Sequence, residues 1–496
     1  MALLLERRGN QINITEEVVK AAVGNWGNGK EVMTLLLERR GDQITITEEV
    51  VKAAAGNGKE VMALLFERRK DEITITEQVV KAAAGNWRNG QEVMALLLER
   101  REDKIIITEE VVKAAAGNKG NGKEVMALLL ERRGDQIIIT EEVLKAAAGN
   151  DGNGKEVMAL LLERREDQII ITEEVVKAAA GNRENGKEVM ALLFEQRGNQ
   201  IIITEEVIKA AAGNYGNGKE VMALLFEQRG DQIIITEDVV KAAAGNKGNG
   251  KEVMALLLER RRNQINITEE VVKAAAGNWE NGKEVMGLLF ERWGDQITIT
   301  EEVVKAAAGN EYSGKGVMAL LLDRRREATT ALITEEILIA AAACGQDRVL
   351  NLLSRQNGLI PVQDEWHRIA KLYNAAKAGD VRCIKQLTHE GTKPDTKNIK
   401  GKTPLWIAAA HGHDAVVKVL AQRTDVNINS TSITGRSSLF WPSSRGYERV
   451  VAFLMGAGAD PNLKDENGDT AITVARKNGH ERIAEMLERP GENRLG

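Results

Sequence analysis

"TEEVVKAAAGN", Thr47–Asn57, is the stretch on which the fold turns. Thr47 can cap the orphan amides of a helix start, Glu48 and Glu49 sit against the positive end of the helix dipole, and Gly56 suits a left-handed C-terminal cap. The stretch then repeats. Its threonine returns at Thr15, Thr47, Thr76, Thr108, Thr140, Thr172, Thr204, Thr236, Thr268 and Thr300, a step of 32 residues except once. The exception, Thr47 to Thr76, is 29 because "AAAGNGKE", Ala53–Glu60, lacks three loop residues. A divergent eleventh copy starts at Thr334.

Each copy holds a second helix, as in "NGKEVMTLLLERRG", Asn28–Gly41. It opens on Asn-Gly, carries apolar Val32, Met33, Leu35, Leu36 and Leu37, ends on Arg39 and Arg40, and stops at Gly41. Between copies, Ile44 and Ile46 alternate as in a short extended link. Two short helices cannot bury their apolar faces alone, but stacked neighbours can. The expected class is therefore all-α, an α-solenoid of stacked helix-turn-helix repeats. The alanine triplets allow close stacking, so a large residue at Ala83 should overpack the seam by roughly 1–3 kcal/mol. Leu128→Ala should leave a cavity costing roughly 2–5 kcal/mol.

"GNWGNGK", Gly24–Lys30, matches the spacing G-x-x-x-x-G-K of a phosphate-binding loop, and that spacing occurs eight times. Every copy follows a helix instead of a strand. The position of the magnesium-binding Ser or Thr is held by Glu31, Glu124 and Glu220, and a carboxylate there repels phosphate. The motif reads as a turn between paired helices. No cofactor is expected.

Composition excludes other classes. With 43% apolar and 28% charged residues the chain is globular, and no apolar run approaches the ~20 residues of a membrane helix. Two cysteines, Cys344 and Cys383, make no disulfide framework and point to a reducing, cytoplasmic location. Net charge is -5 and every copy mixes both signs, so no basic stripe is expected and nucleic acid is not a predicted partner.

After about Ser354 the composition shifts: all five histidines and all six prolines lie beyond it, and Pro361 marks a linker. Gly379, Gly412, Gly446 and Gly479 then recur at steps of 33, 34 and 33. "GKTPLWIAAAHGHDAVVKVLAQRTDVN", Gly401–Asn427, resembles an ankyrin repeat in Thr403-Pro404-Leu405, Ala408-Ala409, Gly412-His413 and Val416-Val417 to Leu420. Gly458–Leu487 is similar, and Leu372–Leu387 looks like a capping first repeat. Two departures stand out. Pro442 falls where the pattern has Ala inside a helix, at about 3 kcal/mol unless the helix is remodelled. Trp406 replaces the usual His, which puts the usual threonine–histidine network in doubt.

Aligning "TPLWIAAAHGHDAVVKVL" with the longer copies matches the Thr, the Ala pair and the Val-x-x-Leu core, which makes the array ankyrin-like. It also resembles the near-identical repeat tracts beside ankyrin repeats in fungal proteins of the NACHT-ankyrin kind, where the resemblance implies a receptor-like role in recognising non-self molecules. The organisation expected is an array over 1–357 in units of 32 residues, a linker at 358–370, ankyrin repeats over 371–490 and a tail at 491–496. Met1-Ala2-Leu3-Leu4-Leu5 aligns with Met126–Leu130, inside a second helix, without a polar cap. That predicts self-association through this end, or more chain before it.

The residue after "AAAGN" changes from copy to copy while its surroundings persist: Trp26, Trp87, Lys119, Asp151, Arg183, Tyr215, Lys247, Trp279 and Glu311. A solenoid would display these as a row, and exposed Trp and Tyr are typical anchors. The ankyrin resemblance adds finger and inner-helix residues Lys400, Lys402, Thr434, Arg436, Trp441, Arg445, Asn467 and Asp469. Paired carboxylates such as Glu109-Glu110 fit helix-start electrostatics better than acid–base catalysis. His411, His413 and Asp414 form the ankyrin turn instead of a metal site, and Ser437, Ser438, Ser443 and Ser444 have no histidine–carboxylate partner in the sequence. The reading is a non-enzymatic scaffold that binds protein. Its alternatives are a modular RNA-binding helical repeat protein, or the C-terminal fragment of a larger enzyme or NTPase.

Overall fold

The computed structural model describes residues 14–101, 104–164, 169–353 and 364–488. Among these the secondary structure is helical, and the β content is an isolated bridge between Thr431 and Ser437. The described part of Met1–Ala242, with Leu256–Gln264, forms one compact unit; Ala243–Ala255 and the described part of Ile265–Gly496 form another.

In the first unit each copy is a helical hairpin such as Glu109–Ala116 with Gly122–Arg133. Thr140 opens the next hairpin at φ -89, and its Oγ1 accepts from the Val143 N–H at 3.4 Å. The same hydroxyl donates to Glu109 Oε1 of the preceding copy at 2.6 Å. Thr47, Thr76, Thr140, Thr204, Thr236 and Thr300 are thus both helix caps and links across the seam, and Glu109 is spent on that link. Thr108 makes the link without the cap. Glu110 pairs with Lys81 at 2.5 Å.

First helices pack on first helices of neighbouring copies and second on second. Val111, Val112, Ala115 and Ala116 are buried on the one, and Val125, Met126 and Leu129 on the other. Leu128, expected to fill the core, is only half buried. The stripe Val125, Met126, Leu129 runs i, i+1, i+4 towards the neighbours, and Leu128 falls on its flank. Ala83 is fully enclosed, as close stacking requires.

The expected left-handed cap is not what ends the first helix. Gly117 has φ -84, and Gly56 lies inside the helix Glu48–Asn57. The turn is made by the next residue instead: Asn118 Oδ1 accepts the N–H groups of Gly120 and Asn121 at 3.0 and 3.1 Å. The chain turns on a side chain, without inverting its backbone. The second glycine of the G-x-x-x-x-G-K spacing also has a packing role. A Cβ on Gly122 would stand 2.8 Å from Asn153 Oδ1 and 2.9 Å from the Ala115 carbonyl.

In the second unit, Glu269–Ala276, Glu301–Ala308, Glu335–Ala343, Asp364–Ala378, Pro404–Ala410, Phe440–Arg445 and Ala471–Lys477 follow one another, each packed on the next. Copies of the array and the ankyrin hairpins therefore share one stack. Residues 364–370, read from the sequence as the end of a linker, are the first turns of Asp364–Ala378, because Trp366, Ile369 and Ala370 are buried at helical spacing. Pro361, the start Met1–Leu5 with its expected self-association, and the tail 491–496 lie outside the described residues.

Gly379, Gly412 and Gly446 have φ of 77, 78 and 79, and His413, Tyr447 and His480 respectively lie over them. His413 Nε2 is 2.8 Å from the Lys377 carbonyl and His411 Nδ1 2.9 Å from that of Ile407. Pro442 costs little where it stands. The helix starts late, at Phe440, so the proline falls in a first turn whose N–H groups have no intrahelical partner. Trp406 replaces the histidine network by a bond of its own, Nε1 donating to the Arg436 carbonyl at 3.0 Å.

Candidate interaction surface

The invariant asparagine of "AAAGN" builds the loop that carries the variable residue. Asn150 is 1% exposed. Its Nδ2 donates to the carbonyls of Ala116 at 2.9 Å and Asn118 at 3.0 Å, both in the preceding copy. Its Oδ1 accepts from the N–H groups of Gly152 and Asn153. Asn118, Asn182, Asn278 and Asn310 repeat the donor pattern. In the full-length copies the second asparagine of the loop then holds the variable residue of the copy before it, while Asn89 reaches the Asn57 carbonyl of the shortened copy and Ser313 that of Asn278. Asn121, Asn153, Asn185 and Asn217 donate to the carbonyls of Trp87, Lys119, Asp151 and Arg183 at 3.1, 3.2, 2.7 and 2.9 Å, and Asn281 donates to that of Lys247. The backbone is fixed and the side chain is left to vary. Sequence reading missed both ladders, although a polar residue constant in every copy beside one that changes was the available signal.

In the first unit Trp26, Trp87, Lys119, Arg183 and Tyr215 are exposed and Asp151 is half buried. Neighbouring members touch. Lys119 Nζ is 2.9 Å from Asp151 Oδ2, and Asp151 Oδ1 accepts from the Arg183 N–H at 3.0 Å. Burial pushes the Asp151 carboxyl up, but these two donors outweigh it and hold it below the ordinary value. The shortened copy leaves a gap of about 260 Å³ floored by Asn57 and Gly58. Across it Trp26 and Trp87 meet at 5.8 Å, with the Arg88 guanidinium 4.2 and 4.7 Å from the two rings.

In the second unit the row runs into the ankyrin fingers. The Trp279 ring lies 4.4 Å from Lys247 Nζ and 3.9 Å from Lys400 Nζ. Ile399 fills the space beside Gly309, where a Cβ would collide with it. Glu311 pairs with Lys377 at 3.2 Å, and Lys377 also faces the exposed Tyr312. Further along, Lys402 lies 4.3 Å over Trp406, Arg436 4.7 Å over Phe440 and Arg445 5.1 Å over Trp441. Burial pushes the Lys400 and Lys402 ammonium groups down, against the pull of Glu311. The even mixture of charges along the sequence had predicted no basic stripe. The fold gathers one here, because residues from distant copies project onto the same strip.

The remaining finger residues serve the turns. Thr434 accepts the Glu466 N–H on its carbonyl, the Asn467 N–H donates to Asp465 Oδ1, and Asp469 Oδ1 accepts from Lys477 at 2.7 Å. Among the described residues no three His, Cys, Asp or Glu side chains group as a metal site needs, and no helix is long and apolar enough to cross a membrane.

The family described as "Domain of unknown function (DUF7104)" matches eleven successive segments, from 3–33 to 320–344, and "Ankyrin repeats (3 copies)" matches 372–465. XBAT34 of Arabidopsis thaliana, whose name marks it as a candidate E3 ubiquitin-protein ligase, is 29% identical over 24% of this chain and 32% of its own. Ankyrin repeat and SAM domain-containing protein 6 of Mus musculus is 31% identical over 23% of this chain and 13% of its own. A Caenorhabditis elegans homolog of transient receptor potential cation channel subfamily A member 1 is 30% identical over 30% of this chain and 12% of its own. The chain thus spans a third or less of each of these relatives.

Proposed function

Because this chain belongs to the DUF7104 family and carries ankyrin repeats behind its array, we propose that it is a non-enzymatic scaffold whose variable row, with the ankyrin fingers and inner helices, chooses a protein partner. One observation carries the reading. The asparagine ladder fixes the backbone of the variable residue by bonds that do not involve its side chain, so that position is free to serve recognition. The expected domain limits, an array to 357 and ankyrin repeats from 371, stand as part of the proposal, as does a cytoplasmic setting. The finer role, recognition of non-self molecules in a fungal receptor-like protein, draws support from the likeness of the near-identical tracts. An RNA reader is disfavoured, since the exposed Trp26, Trp87 and Tyr215 share their row with the acidic Asp151, and the exposed Tyr312 its surroundings with Glu311, carboxylates that repel a phosphate backbone.

The test replaces Trp87, Lys119, Arg183 and Tyr215 together by alanine in the full chain, with the same number of exposed second-helix residues replaced as a control. Circular dichroism should be unchanged in both, while the proteins retained by the chain from a cell extract should be lost only with the row variant. An unchanged set of retained proteins refutes the assignment of the row.

A further inference from the structure

The charges of the second unit are not evenly spread. Lys247, Lys377, Lys400, Lys402, Arg436 and Arg445 gather along the aromatic strip, and the carboxylates paired with them there are Glu311 with Lys377 and Asp465 with Arg436. Six cations against two carboxylates is a local excess of positive charge in a chain whose net charge is -5.

Lys400 and Lys402 are half buried, and their Nζ groups rest on aromatic faces in place of carboxylates. The carboxylate that pulls on both, Glu311, is paired with Lys377, so the two half-buried ammonium groups keep a demand for negative charge. The rings hold the lysine stems in place, which removes much of the entropy that an arriving anion would otherwise have to freeze out. Arg445 is exposed at the far end of the strip, and Tyr312 is 67% exposed near its start. The arrangement is a run of cations on aromatic rings, of which Trp406 and Phe440 are closed, Trp279 and Trp441 half buried and Tyr312 open.

We propose that this strip, from Lys247 to Arg445, takes an extended acidic segment of a partner protein, its carboxylates meeting Lys400 and Lys402 at the centre. The proposal rests on the scaffold reading above and adds the chemistry of the partner at this surface. A single-stranded RNA would supply negative charge as well, but it stacks successive bases on a run of open rings, and here Tyr312 is open while Trp279 and Trp441 are half buried and Trp406 and Phe440 closed.

The probe is a short fluorescein-labelled peptide of alternating Glu and Ser, compared with its Gln-for-Glu counterpart and with oligouridylate, each titrated by fluorescence anisotropy against the full chain. The Glu peptide should bind, weaken as salt rises from about 0.05 to about 0.3 M, and bind roughly tenfold more weakly to the K400Q/K402Q variant. Arg445→Gln, which also gives up the bond to the Ala410 carbonyl and is therefore checked for an unchanged circular dichroism spectrum, should weaken it in the same direction, and K400R/K402R should retain it. Equal binding of the Gln peptide overturns the acidic assignment and leaves the scaffold reading standing. Tighter, salt-dependent binding of oligouridylate overturns both. Failure of the Glu peptide to bind at low salt overturns the inference alone.

Discussion

Replacing Asn150 by alanine removes one side chain and leaves four backbone groups without the partner it supplied. The carbonyls of Ala116 and Asn118 lose donors at 2.9 and 3.0 Å, and the N–H groups of Gly152 and Asn153 lose an acceptor at 3.0 and 3.2 Å. The buried Ala116 carbonyl, left without a donor, costs about 1–3 kcal/mol, whereas the Asn118 carbonyl keeps the Gly122 N–H at 3.1 Å and loses about 0.5–1 kcal/mol. The two loop N–H groups reach water, at a few tenths of a kcal/mol each. The sum is about 3 kcal/mol. A long repeat array need not unfold in one step, so a global melt is a poor readout. Hydrogen exchange resolves the local opening instead, and protection at the helix ends near 116 and 148 should fall by roughly a hundredfold. Asn153→Ala serves as the control. Its Nδ2 makes one exposed bond, to the Lys119 carbonyl at 3.2 Å, and its Oδ1 is a third acceptor, at 3.3 Å, for an Asn150 amide that keeps its two backbone carbonyls, so it should cost less than about 1 kcal/mol. Equal losses for the two variants, or less than about tenfold for Asn150→Ala, would refute the claim that the buried asparagines hold adjacent copies together.

The core makes a paired prediction: Leu129→Ala should cost about 2–5 kcal/mol by local exchange, and the half-buried Leu128→Ala clearly less; the reverse order would contradict the packing. Gly379→Ala places a Cβ 2.7 Å from His413 Nδ1 at φ 77, and should destabilise the ankyrin hairpins by at least about 1–2 kcal/mol in denaturant titration. Asp151 has its folded pKa below the ordinary 3.8, so its contribution to stability is present above that pH and is lost as pH falls through the folded value. An NMR titration midpoint at or above 3.8 would contradict the pairing with Lys119. Burial, aided by Glu311, pushes the Cys344 thiol up to about 12. It should therefore be alkylated by iodoacetamide far more slowly than a free peptide cysteine at neutral pH; equal rates would contradict its enclosure.

The hairpins and their stacking were legible because they rest on repetition. A threonine, an alanine triplet and an apolar run at fixed spacing leave few ways to bury their surface. The asparagine ladders were not, since a bond from a side chain to a backbone carbonyl 32 or 34 residues away has no signature in local periodicity. Gly56 misled for a related reason: glycine near a helix end suggests a left-handed cap, but in its shortened copy the helix runs on to Asn57, and in the longer copies an asparagine side chain such as that of Asn118 makes the turn. The basic strip was hidden because its members lie in copies far apart in the chain. Lys247 and Lys400 look unrelated until both rest on Trp279. Pro442 was legible as an anomaly, but only the late helix start shows how the chain absorbs it.

The loop asparagines give the array a property that a protein with a single irreplaceable core lacks. Since the junctions between full-length copies are made from the same atoms, such copies could be duplicated, dropped or shuffled by recombination between near-identical coding segments, and each new junction would be as sound as the old. Such events would redraw the order of Trp, Lys, Asp, Arg and Tyr along the edge, so the molecule could acquire a different specificity in one genetic step without passing through an unfolded ancestor.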